Sequence, residues 1–218
     1  MLSNLELLVN FFGMGILFIV ALGLIKRFRG DKIPNGSIFI DKIEVNSKNE
    51  IPGNLWSRLG TTLPIIITKG LEILVMILCL LNLWFVISQY IAFNLPYWMN
   101  WVGIIILWGV IGWDIANFYY NVNVTRLYKP LKEKYALATG GPYKYVRHPM
   151  YIGGILEILM FFITTGVWIS VLLLIIMIIA LPFQAKGEER VLKNKFGKVY
   201  EDYISQTGRF FPKITKNI

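Results

Sequence analysis

The chain has 218 residues, of which 56% are hydrophobic and only 16% are charged, and its formal net charge is +9. Soluble domains usually have about a quarter of their residues charged, so this composition excludes intrinsic disorder and favours a membrane protein. The single histidine and single cysteine exclude an intramolecular disulfide and a metal site built from several histidines or cysteines. We therefore expect no bound metal.

Five apolar stretches follow one another along the chain, and a helix needs about 20 such residues to cross the hydrocarbon core. They cover residues 5–25, 71–93, 98–120, 149–165 and 168–183. Basic residues follow the first stretch and no cleavage site is evident, so we expect a retained anchor. The break at Thr164-Thr165-Gly166 is too short to leave the membrane, which predicts a tight hairpin of the last two helices. The sequence thus predicts an all-α integral membrane protein with five transmembrane helices.

The basic residues are confined to one side of this arrangement. All 22 Lys and Arg residues fall in the first connection (26–69), the third connection (126–147) or the tail after residue 183. Cytoplasmic loops are enriched in basic residues, so we expect the N-terminus outside and the C-terminus in the cytoplasm. Contact with membrane lipids therefore explains the net positive charge, and we expect no nucleic-acid partner.

We divide the chain into two regions. Residues 1–127 form an N-terminal transmembrane region with the basic cytoplasmic loop 26–69, and residues 128–218 form a C-terminal region expected to hold the chemistry. The short apolar runs 38–40 and 43–45 of the basic loop predict a small strand or hairpin, to which we assign no chemistry.

The first chemistry-bearing segment spans residues 139–154 and reads TGGPYKYVRHPMYIGG. A plain membrane-entry loop would explain its Gly-Gly-Pro turn and a proline at the first position of a helix. However, His148 lies between Arg147 and Pro149, at a helix N-terminus that favours an anion. Gly153 and Gly154 leave the next turn bare, so that a ligand or a second helix can approach closely.

The second segment spans residues 184–212. Its apolar residues recur at helical spacing with basic residues between them, which predicts an amphipathic C-terminal helix on the cytoplasmic membrane surface; they are Leu192, Phe196, Val199, Tyr200 and Tyr203. That interpretation does not explain the adjacent carboxylates Glu188 and Glu189 beside an anionic leaflet.

Together the two segments read G-P-Y-x3-R-H-P-x-Y-x-G and, after the hairpin, E-E-x2-L-x3-F-G-x2-Y-x2-Y. This pattern resembles the isoprenylcysteine carboxyl methyltransferase family, which is related to the membrane phospholipid methyltransferases. The similarity covers about residues 128–212 and includes both motifs in order. The prokaryotic members of that family also have five spans.

The resemblance implies that S-adenosyl-L-methionine binds between the last hairpin and the C-terminal helix. The expected catalytic residues are Arg147 and Glu188, the latter at a position associated with the substrate side of the pocket. The expected cofactor-binding residues are Tyr135, Ala136, Leu137, Ala138, Tyr143, His148, Pro149, Met150, Tyr151 and Glu189. Methyl transfer needs in-line approach in a site that excludes water, so we expect catalysis by positioning and name no general base.

The acceptor is less constrained than the cofactor. An isoprenylcysteine carboxylate, a phospholipid amine or a small thiol would suit a site that opens between helices. Gln184 occupies the position where the eukaryotic enzymes carry an arginine for the prenylcysteine carboxylate, and Lys186 is not equivalent to that arginine. Tyr135 stands where relatives often carry histidine.

Three acidic residues lie within or beside the apolar stretches, namely Glu72, Asp114 and Glu157. Carboxylates inside a membrane are costly and are candidates for functional sites. We expect Glu72 to reach the interface, and for Asp114 and Glu157 a place in the site and a plain interhelical hydrogen bond remain equally open.

Other functions are also compatible with parts of the pattern. Membrane sterol or steroid reductases that use NADPH share an Arg-His-Pro element, but theirs tends to continue Asn-Tyr-x-Gly-Glu where this chain has Met-Tyr-Ile-Gly-Gly. A non-enzymatic scaffold would keep the fold without the activity. A transporter is disfavoured, because no broken-helix pair or repeat is visible.

Overall fold

A computed structural model describes residues 1–29, 32, 34–40, 52–121 and 135–213. Within these residues the chain forms, in order, α1 (Asn4–Arg29), β1 (Ser37–Ile40), α2 (Leu55–Leu80), α3 (Trp84–Ile91), α4 (Tyr97–Tyr120), β2 (Tyr135–Ala138), a 3₁₀ helix (Gly141–Lys144), α5 (Pro149–Thr165), α6 (Ile169–Phe196) and α7 (Lys198–Gln206).

The helices α1, α2, α4 and α6 are long and apolar enough to cross a membrane. With 24 to 28 residues each, they are about 36–42 Å long at 1.5 Å per residue, which exceeds a hydrocarbon core of about 30 Å. Large apolar side chains such as Phe12, Ile77 and Ile105 remain exposed on their outer faces, as expected for contact with lipid. The prediction of a mainly helical integral membrane protein is therefore confirmed.

The helix α5 is the shortest of the predicted spans. Its 17 residues correspond to about 26 Å, so a count of five spans stays a prediction. The helix begins at Pro149, the predicted first position. It ends at Gly166, whose φ of 76° is left-handed and suits glycine, and α6 begins three residues later and packs against it.

The predicted second span, residues 71–93, was wrong in its limits. The helix α2 begins at Leu55, where the Asn54 side chain accepts a hydrogen bond of 2.7 Å from the backbone N–H of Ser57. Its first 14 residues include polar residues such as Thr61 and Thr68, which lower the mean hydropathy although the structure buries them. Consequently Lys69, which the sequence assigned to the loop, lies inside a membrane-spanning helix.

The predicted fifth span, residues 168–183, was also too short. The helix α6 continues through Pro182 to Phe196 and ends at Gly197, and α7 then forms a separate short helix. The predicted amphipathic C-terminal helix is therefore divided between the end of α6 and α7. Tyr200 and Tyr203 of α7 are buried rather than exposed to lipid.

A two-stranded antiparallel sheet links the two regions of the chain. The strand β1 pairs with β2, with Ser37 opposite Ala138 and Ile40 opposite Tyr135. The strand predicted in the basic loop is thus present, but its partner is the segment that precedes the first motif. The apolar run 43–45, the boundary between residues 127 and 128 and the side chain of Tyr135 lie outside the described residues.

Small residues set the closest helix contacts. Gly60 of α2 lies against Ala180 of α6, and Gly103 of α4 lies against Thr164 of α5. Since lipid provides little drive for helix association, such close backbone approach supplies the packing energy. These contacts, α2 with α6 and α4 with α5, hold the helices that line the cavities described below.

Candidate active site

A cavity with a volume of about 240 Å³ opens at the end of the bundle where α5 begins. Its wall combines α2, β2, the 3₁₀ helix, the start of α5, the extension of α6 and α7. Nine of the residues predicted from the sequence line it: Leu137, Ala138, Tyr143, Arg147, His148, Pro149, Met150, Tyr151 and Glu188. The fold therefore brings both sequence motifs to one cavity.

The remaining predicted residues lie elsewhere. Ala136 is buried in the sheet opposite Phe39 and does not line the cavity. Glu189 faces away from the cavity, towards the C-terminal segment, and lines a separate groove with Gly53 and Arg190. The backbone of Tyr135 belongs to β2.

Several residues of the cavity wall were not predicted. Thr61, Thr62, Ile65 and Ile66 come from the first half of α2, and the others are Asn121, Leu192, Tyr200 and Tyr203. The α2 residues were missed because the start of that helix was not recognised. Leu192, Tyr200 and Tyr203 were recognised as one apolar face, but that face contacts the cavity instead of lipid.

Glu188 is the buried carboxylate of the cavity wall. Its Oε1 atom accepts hydrogen bonds from the Tyr151 hydroxyl at 2.5 Å and from the Gln184 amide at 3.0 Å. Its Oε2 atom lies 3.3 Å from Nδ1 of His148. Gln184 in turn accepts a hydrogen bond of 2.9 Å from Ser57 of α2. Gln184, the residue that departs from the family pattern, thus holds Glu188 in place.

Glu189 connects the two motifs on the side of the wall that faces away from the cavity. It accepts hydrogen bonds from Nε of Arg147 at 2.9 Å and from Nε and Nη2 of Arg209 at 3.0 and 2.5 Å. Its Oε1 atom is 3.3 Å from Nε2 of His148. Charge-assisted and bidentate bonds of this kind are the strongest hydrogen bonds in proteins. Arg147 is consequently fixed at the cavity wall.

The C-terminal segment closes over this network through its backbone. The backbone N–H groups of Arg147 and His148 donate to the carbonyls of Gly208 and Arg209 at 2.9 and 3.2 Å. The Arg147 guanidinium also donates to the Thr207 carbonyl. Tyr203 donates a hydrogen bond of 2.6 Å to the carbonyl of Tyr143. The residues after α7 therefore form part of the site's framework.

His148 lies between the two carboxylates, and this position changes its ionisation. Burial lowers the pKa of His148, but Glu188 and Glu189 outweigh burial and the pKa is raised above its ordinary value. The Glu189 carboxylate is compensated by Arg147, Arg209 and His148, which all lie within 3.3 Å of it. Burial raises the pKa of Tyr200 and Tyr203, so both phenols stay neutral.

The raised pKa of His148 predicts a specific pH dependence of stability. A group whose pKa is higher in the folded than in the unfolded state stabilises the fold fully below its unfolded pKa, about 6.5, and this contribution is lost as the pH rises through the folded pKa. We expect the thermal unfolding midpoint in detergent to fall over that window. Since His148 is the only histidine, His148→Gln should flatten the profile there, and an unchanged profile in the variant would contradict the assignment.

The charged and aromatic groups of the cavity wall suit a zwitterionic, aromatic ligand. The wall offers a guanidinium at Arg147, a carboxylate at Glu188 and the rings of Tyr143, Tyr151 and Tyr200. No side chain caps the N-terminus of α5 at His148, so the helix end can attract an anionic group. These features fit the amino-acid, ribose and adenine parts of S-adenosylmethionine.

The fold defines a helical membrane protein with a cavity at one end of its bundle. Residues 98–199 match the sequence profile of the phospholipid methyltransferase family, which belongs to the isoprenylcysteine carboxyl methyltransferase-like group. The relation inferred from the two motifs is therefore confirmed, and it indicates a membrane methyltransferase. No curated protein matches the sequence. Nothing in the comparisons supports the reductase alternative.

Proposed function

We propose that this protein is an S-adenosylmethionine-dependent methyltransferase that acts on a lipophilic acceptor, most like the protein-S-isoprenylcysteine carboxyl O-methyltransferases. The observation that carries the proposal is that residues of both motifs line one and the same cavity. Residues 98–199 of the chain also match a membrane methyltransferase family. When bound, the cofactor supplies a methyl group made electrophilic by its sulfonium.

The residues of the wall have distinct tasks in this proposal. Arg147 binds the carboxylate of the cofactor's amino-acid part, and the N-terminus of α5 adds a positive field. Glu188 accepts hydrogen bonds from hydroxyl or ammonium groups, while Tyr151 and Gln184 fix its orientation. The rings of Tyr143 and Tyr200 and the side chain of Leu192 enclose the adenine.

Catalysis in this site is expected to depend on position and on the exclusion of water. A bound pair of reactants held in line at roughly 3–3.5 Å gains a large part of the rate from orientation alone. Leu137 and Ala138 of β2 and Tyr200 and Tyr203 of α7 contribute apolar and aromatic groups to the cavity wall. An acceptor that is already an anion needs no base.

The acceptor assignment is open between several lipophilic groups. Gln184 is buried and bonded to Ser57 and Glu188, and Lys186 is exposed and lines the groove that holds Glu189. Neither residue supplies a guanidinium fork for an isoprenylcysteine carboxylate. A phospholipid amine or a small thiol is therefore the alternative acceptor.

The orientation and the division of the chain are part of the same proposal. The cavity lies at the end of the bundle that carries Arg58, Lys144, Lys186 and Arg190, in agreement with a cytoplasmic active site and C-terminus and an external N-terminus. Residues 128–218 then supply most of the cofactor-binding region, whereas residues 1–127 form the N-terminal membrane region and complete the cavity wall with Thr61, Thr62, Ile65, Ile66 and Asn121.

The decisive test is calorimetric titration of the detergent-purified protein with S-adenosylhomocysteine, and with NADPH in parallel. We expect saturable binding of S-adenosylhomocysteine alone. Tyr151→Phe should weaken it about tenfold or more, because a hydrogen bond to a charged group contributes about 1.5–3 kcal/mol. Binding of NADPH alone would assign the protein to the reductases, and binding of neither would favour a scaffold.

A further inference from the structure

A groove of about 560 Å³ lies outside the cofactor cavity, between the start of α2 and the extension of α6. Its wall includes Asn54 and Ser57 at the start of α2 and Lys186, Glu189 and Arg190 on α6. The groove and the cofactor cavity share no wall residue within the part of the chain that the structure describes. A molecule in this α2–α6 groove would therefore occupy a surface of its own.

The floor of the α2–α6 groove is built from backbone in close contact. A side chain at Gly187 would collide with the backbone of Gly53, and Gly53 has a left-handed φ of 72° that suits glycine. The Gln184 amide donates to the Pro52 carbonyl at 3.4 Å and accepts from the Ser57 hydroxyl at 2.9 Å. The groove is therefore a fixed feature of the packing between α2 and α6.

Two cations of the groove, Lys186 and Arg190, form no ion pair with any residue that the structure describes, and both side chains are exposed. The other charged groups of the groove are compensated. Lys193 lies 2.8 Å from Glu201, and Glu189 is bound by the two arginines described above. The groove thus offers two positive charges to an anion.

The charged groups inside the bundle differ from these cations, because they bind one another. The Lys69 ammonium lies 2.7 Å from Glu157 and 3.1 Å from Glu72. Asp114 accepts a hydrogen bond of 3.5 Å from Asn117 on its own helix. Neither Glu157 nor Asp114 lines the cofactor cavity, so Glu157 acts as the partner of an interhelical ion pair.

An aromatic pair at the rim indicates the depth of the groove in the bilayer. Phe183 lines the groove and packs edge to face against Trp56, with ring centroids 5.6 Å apart. Both rings are more than half exposed, as is usual for aromatic side chains at a membrane interface. Lys186 and Arg190 follow Phe183 by about 5 and 11 Å along α6, and a headgroup layer is about 5–8 Å thick. Lys186 therefore lies within the headgroup layer and Arg190 at its outer edge.

On the membrane side of this aromatic pair, the outer faces of α2 and α6 present apolar surface. Leu63 follows Trp56 by seven positions, and Ile179 and Ile176 precede Phe183 by four and seven, so each set shares one helix face. The side chains of Leu63, Ile176 and Ile179 are exposed. An acyl chain attached to a headgroup in the groove can therefore lie along these two helices.

We propose that the α2–α6 groove binds the headgroup of an anionic phospholipid of the surrounding leaflet, and that Arg190 and Lys186 hold its phosphate. A guanidinium binds phosphate through two parallel hydrogen bonds, and the ammonium supplies the second charge. A zwitterionic headgroup carries a cation of its own and gains less from the groove. The lipid is a bound partner and not the methyl acceptor, because it lies outside the cofactor cavity, and the inference does not depend on the methyltransferase function.

The test uses the full chain in detergent and two lipids with identical acyl chains, phosphatidylglycerol and phosphatidylcholine, whose bound copies are counted by native mass spectrometry. We expect phosphatidylglycerol to bind about tenfold more tightly, since each basic residue near an anionic lipid contributes a factor of about five. Lys186→Gln combined with Arg190→Gln should remove this preference. The thermal unfolding midpoint without added lipid should stay unchanged, because both side chains are exposed.

The matched control is Lys26→Gln combined with Arg27→Gln, which removes one lysine and one arginine from the exposed end of α1, outside the groove. This variant has the same net charge and should keep the preference. A preference that is absent from the unmodified protein, survives the groove substitutions or falls equally in both variants would overturn the site. Displacement of phosphatidylglycerol by millimolar inorganic phosphate would assign the groove to a soluble anion and overturn the lipid assignment. S-adenosylhomocysteine binding tests the methyltransferase proposal separately.

Discussion

Replacement of Glu189 by alanine is expected to destabilise the protein by about 3–5 kcal/mol, the usual result of removing one partner of a buried ion pair. Its carboxylate accepts from Arg147 and Arg209 and lies beside His148. The side chains of Arg147 and His148 are only 9% and 6% exposed. Water therefore cannot solvate them in place of the Glu189 carboxylate that the substitution removes. The C-terminal segment should detach from the first motif as a result.

Unfolding by denaturant in mixed micelles, followed by circular dichroism, measures this effect. The matched control is Glu201→Ala, which removes an exposed partner of Lys193 and should leave the stability almost unchanged, because surface ion pairs contribute little. Equal stability of the two variants would show that the Glu189 network does not hold the site together. S-adenosylhomocysteine binding should be lost in Glu189→Ala and retained in Glu201→Ala.

Hydropathy and spacing predicted much of the helical frame. The limits of α1, α4 and α5 follow closely from the apolar stretches 5–25, 98–120 and 149–165, since each stretch contains only one charged residue, Glu6, Asp114 or Glu157 respectively. The start of α2 could not be found in the same way, because Thr61, Thr68 and Lys69 interrupt its apolar pattern. The compensation of Lys69 is partly tertiary, because it pairs with Glu157, 88 positions away, as well as with Glu72 on its own helix.

The site was predictable where its residues are contiguous. The run from Tyr143 to Tyr151 forms a turn and the first helical turn of α5, so its residues reach the cavity together. Glu188 and Glu189 are adjacent on α6 and therefore point in different directions. The sequence alone could not show which of the two faces the cavity and which faces the framework around it. The apolar face of α7 has the same periodicity whether it contacts lipid or protein, and only the fold shows that Tyr200 and Tyr203 contact the cavity.

The second large effect is expected for Glu188→Gln, which should weaken S-adenosylhomocysteine binding by about tenfold to a hundredfold. The substitution keeps the size of the side chain but replaces an acceptor by a group that carries two donors. Tyr151 and Gln184 both donate to Oε1 of Glu188, and His148 lies beside Oε2. An amide cannot accept from all three, so the side chain loses the orientation in which it accepts from the cofactor's hydroxyl or ammonium groups. A lost charge-assisted bond to the ligand is equivalent to about 1.5–3 kcal/mol.

Calorimetric titration of Glu188→Gln beside Glu201→Gln separates this effect from a general loss of folding, provided that both variants unfold at the same temperature. An unchanged affinity would place Glu188 outside the cofactor contacts and leave it on the acceptor side of the cavity. The two glutamates of the motif then differ in a testable way. Glu189→Ala should lower stability and binding together, whereas Glu188→Gln should lower binding far more than stability, because Glu188 faces the cavity and Glu189 faces the framework that closes it.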